Sequence, residues 1–361
     1  MSAIRFDHVD LLFGDRPRAG LAALDGGAGR DDIRAATGQV LAVRDACLDV
    51  AAGEICVLMG LSGSGKSSLV RCVNGLNRPT RGGVHVTGSD GRTLDVAACS
   101  RRRLRRLRRR DIAMVFQAFA LLPWRTVADN VAFGLELQGV AKAARRRRVA
   151  EMLELVGLDG WENAPVDALS GGMQQRVGLA RSFATDAPVL LMDEPFSALD
   201  PLIRTRLQRE LLDLQARLKK TILFVSHDLD EAVKLGDRVA IMEEGAIRQV
   251  GTPEEIVTAP VDGYVADFIK ELNPLDVLTA RAVMAPVREV AAVAGGGGVS
   301  LGAETATGRP RVAATTTLRG VIERRREVGA PLVVVDAEDR VVGTIGDAQI
   351  YDGVLKRLRG R

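Results

Sequence analysis

No apolar run in this chain of 361 residues approaches the ~18 that a helix needs to cross a bilayer. The stretch from Met1 to Asp10 has no apolar segment of the signal-peptide kind. Together these absences predict a soluble chain that stays on the side where it is made and reaches any membrane through a partner. Cysteine is scarce. Cys47, Cys56, Cys72 and Cys99 show no C-x-x-C spacing and no nearby histidine pair, which excludes a zinc site or a disulfide frame and predicts buried or inert thiols in a reducing compartment. Histidine is scarcer still, at three: His8, His85 and His227. No sign of charge dominates, since 50 basic residues face 46 acidic ones for a net charge of +4, which gives no strong argument for a nucleic-acid partner, and none is expected. Sustained heptads are also missing, which excludes a long coiled coil. What is present is the ordinary composition of a globular protein, 47% apolar and 27% charged, with a length that suits one large domain and a smaller one.

Arg5 to Phe13 alternates loosely and predicts a strand. Residues 15–40 hold two Gly-rich patches around a short helical stretch, Asp31 to Ala36, and read as an insertion in a surface loop. Val40 to Val50 and Glu54 to Met59 predict strands. The second runs directly into Gly60-Leu61-Ser62-Gly63-Ser64-Gly65-Lys66-Ser67, and Lys66 to Asn74 then predicts a helix. Arg101 to Arg110 contains eight arginines and two leucines. With no aromatic residues interleaved for base stacking, it reads as a solvated helix with Leu104 and Leu107 turned inward, rather than as a nucleic-acid or anionic-lipid patch. Asp111 to Phe116 is strand-like, and Gln117 to Ala187 is mostly helical in pattern with breaks at Pro123 and Pro165. Pro188 to Asp193 returns to a buried strand. Asp200 caps a helix that begins at Pro201 and turns Leu207, Leu211, Leu214 and Leu218 inward. Thr221 to Ser226 is the next strand. Strands alternating with helices predict an α/β fold around a parallel sheet.

The glycine-containing segment fits the phosphate-loop pattern G-x-x-x-x-G-K-S/T in the strand–loop–helix context that the pattern requires. Backbone N–H groups of Gly60, Ser62, Gly63, Ser64 and Gly65 would wrap the phosphates of a nucleoside triphosphate, and the helix start at Ser67 and Ser68 would add its positive field. Lys66 would reach the β- and γ-phosphates and Ser67 would ligate Mg²⁺. Asp193-Glu194 closes the buried strand Val189-Leu190-Leu191-Met192. An acidic residue there can hold Mg²⁺ through water, and two adjacent carboxylates can also serve only as a helix-start signal.

Leu169-Ser170-Gly171-Gly172-Met173-Gln174-Gln175, taken with the phosphate loop, resembles the ATP-binding cassette (ABC) family, whose two sites lie between two ATPase domains. The resemblance covers residues 1 to about 275. It implies an α/β P-loop NTPase (RecA-like) core with a helical subdomain inserted at about 118–187, and an ATP hydrolase that uses ATP and Mg²⁺. It gives Asp193 the metal, with Gln117 as a second group that senses Mg²⁺ and the γ-phosphate. Glu194 becomes the group that orients and deprotonates water, and His227 the γ-phosphate contact. Ser170, Gly171 and Gly172, with Asp200 in Ser197-Ala198-Leu199-Asp200, would act on the ATP of the other copy in a homodimer. Phe13 would stack on adenine; on the residues alone it also fits a core position.

Phe116 to Pro123, Arg125-Thr126-Val127, Met173 to Arg181 and Asp200 to Arg204 resemble the quaternary-amine importer ATPases. Leu122 to Thr126 and Glu54 to Gly60 are most similar to the choline branch. This implies uptake of choline, glycine betaine or proline betaine through a separate transmembrane permease, fed by a substrate-binding protein. The ATPase would sit peripherally on the cytoplasmic face of the inner membrane. An ABC ATPase of another small-solute importer, or one outside transport, remains the alternative. In the remaining segment, 276–361, Leu332 to Asp336 and Arg340 to Ile345 resemble the hairpin of a CBS motif beyond a Gly-rich linker at 295–298. The nucleoside-holding positions of that motif fall on Gly346 and Gln349, so a small α+β structural or dimerising tail is expected.

Overall fold

The computed structural model describes residues 2–286 and 309–355. Its first compact unit ends at Val250 and the second begins at Gly251, whereas the sequence suggests a boundary near residue 275. The difference has a packing cause. Ile256 and Val257 are buried on helix Pro253–Thr258, which packs against helix Pro274–Val277. Thr279 Oγ1 also donates to Glu254 Oε2 at 3.0 Å.

The first unit runs β1 (Ser2–Phe13), α1 (Pro17–Asp25), α2 (Arg30–Thr37), β2 (Val40–Ala51), β3 (Ile55–Met59), α3 (Lys66–Val73), β4 (Arg81–Thr87), β5 (Thr93–Asp95), α4 (Arg101–Arg110) and β6 (Ile112–Val115). It continues with α5 (Val127–Gln138), α6 (Lys142–Leu155), α7 (Gly171–Ala184), β7 (Val189–Asp193), α8 (Pro201–Leu218), β8 (Thr221–Val225), α9 (Leu229–Leu235), β9 (Arg238–Glu243) and β10 (Ala246–Gly251). One sheet has the order β10-β9-β3-β8-β7-β6, and β9, β3, β8, β7 and β6 are parallel. Every residue of β3, β7 and β8 is buried, as expected of parallel strands covered on both faces. The second sheet, β2-β1-β4-β5, is antiparallel. Its inward residues Phe6, Val43 and Val84 share one core with Leu69, Val70 and Val73 of α3 and with Leu58 and Val225 of the parallel sheet. The helix that follows the phosphate loop is therefore held by both sheets.

Three expectations change. The insertion carries two helices, not one, because Leu12, Leu24, Ile33 and Leu41 form a small core of their own beside the directly paired Phe13 and Val40. Residues 117–126 are irregular rather than helical. Phe119 and Ala120 both have left-handed backbones, φ 58° and 49°, and Thr126 then caps α5 by accepting from Asp129 N. Leu218 is 48% exposed, since α8 ends there at left-handed Lys219, while Leu207, Leu211 and Leu214 are buried as anticipated. The expected helix α4 is present with Leu107 buried. Among the thiols, Cys56 and Cys72 are buried, and burial pushes each up to about 12, whereas Cys47 is exposed.

In the second unit the strands lie in the order Ala285–Pro286, Val341–Ile345, Leu332–Val335, Arg311–Ala313. Val341–Ile345 and Leu332–Val335 form the anticipated antiparallel hairpin, closed where Asp336 accepts from the backbone and side chain of Arg340. Helices Leu318–Val328 and Asp347–Leu355 flank it, and Leu318, Val321, Leu332, Val334 and Ile345 are its core. The Gly-rich linker at 295–298 lies outside the described residues.

Leu211→Ala should destabilise the protein by about 2–5 kcal/mol, the range for emptying a buried leucine site. Leu218→Ala should cost less than about 1 kcal/mol. Denaturant midpoints of the two variants check the pair.

Candidate functional site

At the end of β3 the backbone turns through Gly60 (φ 145°), where a Cβ would collide with the Met242 carbonyl. At Gly65 (φ 102°) a Cβ would collide with the Ala42 carbonyl. Only glycine lets β2 and β9 pass this close, and Gly245 N donates to Ser64 O at 3.0 Å to hold the loop down. Lys66 Nζ lies inside the loop and donates to Gly60 O (2.7 Å), Leu61 O (2.9 Å) and Ser64 Oγ (3.3 Å). Burial pushes its ammonium down from the usual range, against the pull of Glu194 and Asp193 in the other direction. Nothing lies within 4 Å of a Cβ built on Gly63, so the loop is open on that side.

Three parallel neighbours bring the remaining chemistry to one edge. Gln117 follows β6, Glu194 follows β7 and His227 follows β8, so all three stand beyond the carboxyl ends of the strands, where α/β sheets place their ligands. Gln117 Nε2 donates to Glu194 Oε2 at 3.2 Å, and His227 Nδ1 lies 3.4 Å from the same oxygen. Glu194 has a left-handed backbone, φ 50°. Its N–H donates to Val225 O, and its carbonyl accepts from Gln175 Nε2 at 3.3 Å. Asp193 is fully buried beneath the loop. It accepts from Ser67 Oγ at 2.7 Å on one oxygen and pairs with Arg71 Nη2 at 3.0 Å on the other. A hydroxyl and a carboxylate oxygen this close, with the Gln117 amide nearby, form a hard oxygen set that suits Mg²⁺.

These groups surround a cleft of about 490 Å³. Of the anticipated residues, Phe13, Ser62, Gly63, Gly65, Lys66, Ser67, Ser68, Gln117, Glu194 and His227 line it. Gly60 and Ser64 support the loop from below, and Asp193 is held under Ser67. Phe13 is exposed, not a core side chain. Ser170, Gly171, Gly172 and Asp200 do not line the cleft of their own chain. Ser170 instead caps α7 by accepting from Met173 N, and Asp200 caps α8 by accepting from Leu202 N and Ile203 N.

Other contributors were given no role by the sequence, although Gln175 and Arg181 lie in stretches that carry the resemblance. Arg30, from the insertion, lines the cleft and donates from Nη1 to Gly63 O at 2.8 Å. Gln175 is buried, and its carboxamide also accepts from Ala198 N at 3.1 Å, so it ties Glu194 to the segment before α8. Arg181 of α7 donates to the carbonyls of Phe119 (2.8 Å) and Ala120 (2.7 Å), which fixes the left-handed turn after Gln117. Buried Asn130 does the same for 122–126, bonding Leu122 N, Leu122 O, Arg125 O and Thr126 O. Beside this segment lies an apolar groove of about 320 Å³ lined by Met114, Phe116, Ala120, Leu122, Phe133 and Leu137 among others. Trp124 is 77% exposed.

Residues 43–197 match the ABC transporter family model. The chain is 49% identical over 281 residues to the glycine betaine/proline betaine transport system ATP-binding protein ProV of Salmonella typhimurium, a match covering 77% of this chain and 69% of that one. The chain belongs to the ABC transporter family. This cassette is also 51% identical over 290 residues to the trimethylamine N-oxide transport system ATP-binding protein TmoW of Ruegeria pomeroyi, covering 80% of this chain and 82% of that protein. Among solved structures, it resembles the ATP-binding cassette MJ0796 in a dimeric post-hydrolysis state bound to ADP and Pi. The TM-score is 0.59 at 27% identity, over 69% of this chain and 98% of that one. The fold is thus that of a P-loop ATPase whose activity serves transport, and its nucleotide is ATP. Among the described residues no helix is long and apolar enough to cross a membrane.

Gln175→Leu should lower ATP turnover by ~10²-fold, the scale of misplacing a reacting group by about 1 Å. ATP affinity should change little, because Gln175 does not line the cleft and its carboxamide bonds the Glu194 carbonyl and the Ala198 N–H. Steady-state kinetics alongside equilibrium ATP binding measure both.

Proposed function

We propose that this cassette is the ATP-binding subunit of an importer for a quaternary amine such as choline, glycine betaine or proline betaine. The observation that carries the ATPase half is the meeting of Gln117, Glu194 and His227 at one carboxylate oxygen beside the phosphate loop. The loop N–H groups and Lys66 hold the β- and γ-phosphates. Ser67, Asp193 and Gln117 would hold Mg²⁺, which would neutralise phosphate charge. Glu194 orients a water and takes its proton as the water oxygen bonds to the γ-phosphorus and the bond to the β-phosphate oxygen breaks, releasing ADP and phosphate. His227 contacts the γ-phosphate, and Phe13 stacks on adenine. Because Ser170, Gly171, Gly172 and Asp200 lie outside their own chain's cleft, they complete the site of a second copy. The dimeric state of the MJ0796 cassette supports that reading.

The solute follows from the named relatives. Those transport systems handle glycine betaine, proline betaine and trimethylamine N-oxide, which share a cationic, fully substituted nitrogen. The subunit itself does not touch that solute. A substrate-binding protein and a transmembrane permease do, with the cassette peripheral on the cytoplasmic face of the inner membrane. The groove lined by Ala120 and Leu122, together with exposed Trp124 of the same segment, receives a short permease helix. The tail is a single degenerate CBS-like motif with a structural or dimerising role. Gly346 and Gln349 stand at its ligand positions, and the Gln349 amide oxygen is spent on Gly346 N.

Glu194→Gln should reduce turnover by ~10²–10⁴-fold, the range for losing a general base, while ATP binding persists. The variant should elute as an ATP-dependent dimer on size exclusion, and adding Ser170→Arg should return it to monomer. Deleting the gene should abolish high-affinity uptake of labelled choline or glycine betaine. Trp124→Glu should retain the isolated ATPase and fail to restore that uptake. Normal quaternary-amine uptake in the deletion strain, with another solute lost, would refute the substrate reading and leave the ATPase intact.

A further inference from the structure

The insertion between Phe13 and Val40 is a packed module. Ile33 of α2 and Leu24 of α1 are buried with Leu12 and Leu41, which anchors both helices to β1 and β2. Asp32 accepts from Gly29 N, and Gly38, left-handed at φ 71°, closes α2 with a bond to Arg34 O. Arg30 is the first residue of this fixed helix, three positions before buried Ile33. Its guanidinium reaches the phosphate loop, where Nη1 donates to the Gly63 carbonyl, and it lines the same cleft as Phe13, Lys66 and Ser67.

We propose that Arg30 is a nucleotide-binding residue supplied by the insertion, donating to the α-phosphate of the ATP in this cleft. With adenine against Phe13 and the β- and γ-phosphates over Lys66, the ribose and α-phosphate must cross the span between them, where Arg30 touches Gly63. A guanidinium carries five N–H donors, and one is used on Gly63 O. The remaining fork suits a phosphate oxygen, and a charge-assisted bond there is among the stronger single contacts available. The inserted helices thereby become part of the binding site, and their packing on β1 and β2 sets where the guanidinium stands. This assignment rests on the placement of ATP in the cleft.

The test is equilibrium binding of Mg-ATP and Mg-ADP to purified wild type, Arg30→Ala, Arg30→Gln and Arg30→Lys, with steady-state ATPase and thermal melting on each. Both nucleotides carry the α-phosphate. Arg30→Ala should therefore weaken ATP and ADP alike, each by about tenfold, with KM for ATP rising more than kcat falls. Arg30→Gln keeps an N–H donor on a shorter side chain without charge, so it should show the same loss at an unchanged melting temperature. Arg30→Lys should recover part of the affinity. Wild-type affinity in Arg30→Gln would reduce the role to bracing the loop and overturn the proposal. So would a loss confined to ATP, which would put the contact on the γ-phosphate. Lys66→Ala separates the two levels, because unchanged ATP binding in that variant would remove the nucleotide from the cleft altogether.

Discussion

The buried carboxylate of Asp193 fixes the phosphate loop against the parallel sheet. It ends β7 with no solvent exposure and, among the described residues, is satisfied from α3, by the Ser67 hydroxyl and the Arg71 guanidinium. An ionised carboxylate stripped of such partners in an interior is costly. The helix that follows the phosphate loop therefore cannot slide along the sheet without leaving a charge stranded. Both sheets grip the other face of α3 through Leu69, Val70 and Val73. Loop and strand ends are thus held in one register, and the exposed groups above them, Gln117 and His227, need only reach a common oxygen of Glu194.

Helix α7 extends that register to the rest of the first unit. Its first turn is capped by Ser170, and Gln175 in its second turn holds the backbone of Glu194. Arg181 holds the turn after Gln117, and Ser182 donates to Met114 O at 3.0 Å beside the apolar groove. One helix thereby joins the Ser170 cap, the backbone of Glu194 and the apolar groove beside residues 117–126. A change at the γ-phosphate that moved Gln117 or Glu194 would be transmitted through these bonds, which is the physical basis a coupled ATPase requires.

Much of the site could be read locally because its chemistry is encoded in contiguous residues. A loop that wraps phosphates needs glycines at set positions before a helix, so Gly60 to Ser67 identifies itself. A buried strand ending in two acids does so nearly as well at Asp193-Glu194. The Asp200-Pro201 cap was legible because side-chain capping is a local bond. Residues 117–126 opened a stretch read as mostly helical with a break at Pro123, yet they are irregular because their conformation is imposed from far along the chain, by Arg181 on the Phe119 and Ala120 carbonyls. Leu218 fitted the inward spacing of α8, yet the helix stops at Lys219 and leaves it exposed. The boundary near 275 followed the reach of the family resemblance, whereas the contacts of Ile256, Val257 and Glu254 assign that segment to the tail.

The sequence by itself determined the phosphate-loop segment, the alternation of strands and helices around it, and the candidate groups for phosphate and metal. Each of these depends on backbone propensities and side-chain types within a few residues of one another. Tertiary structure alone decided which distant groups meet. It brought Gln117, Glu194 and His227 together because β6, β7 and β8 lie side by side and parallel. It placed Ser170 and Asp200 outside their own cleft, and it carried Arg30 from an unremarkable Gly-rich insertion to the carbonyl of Gly63. No local pattern encodes these meetings, because they arise from the pairing of strands and the burial of apolar faces far apart in the chain.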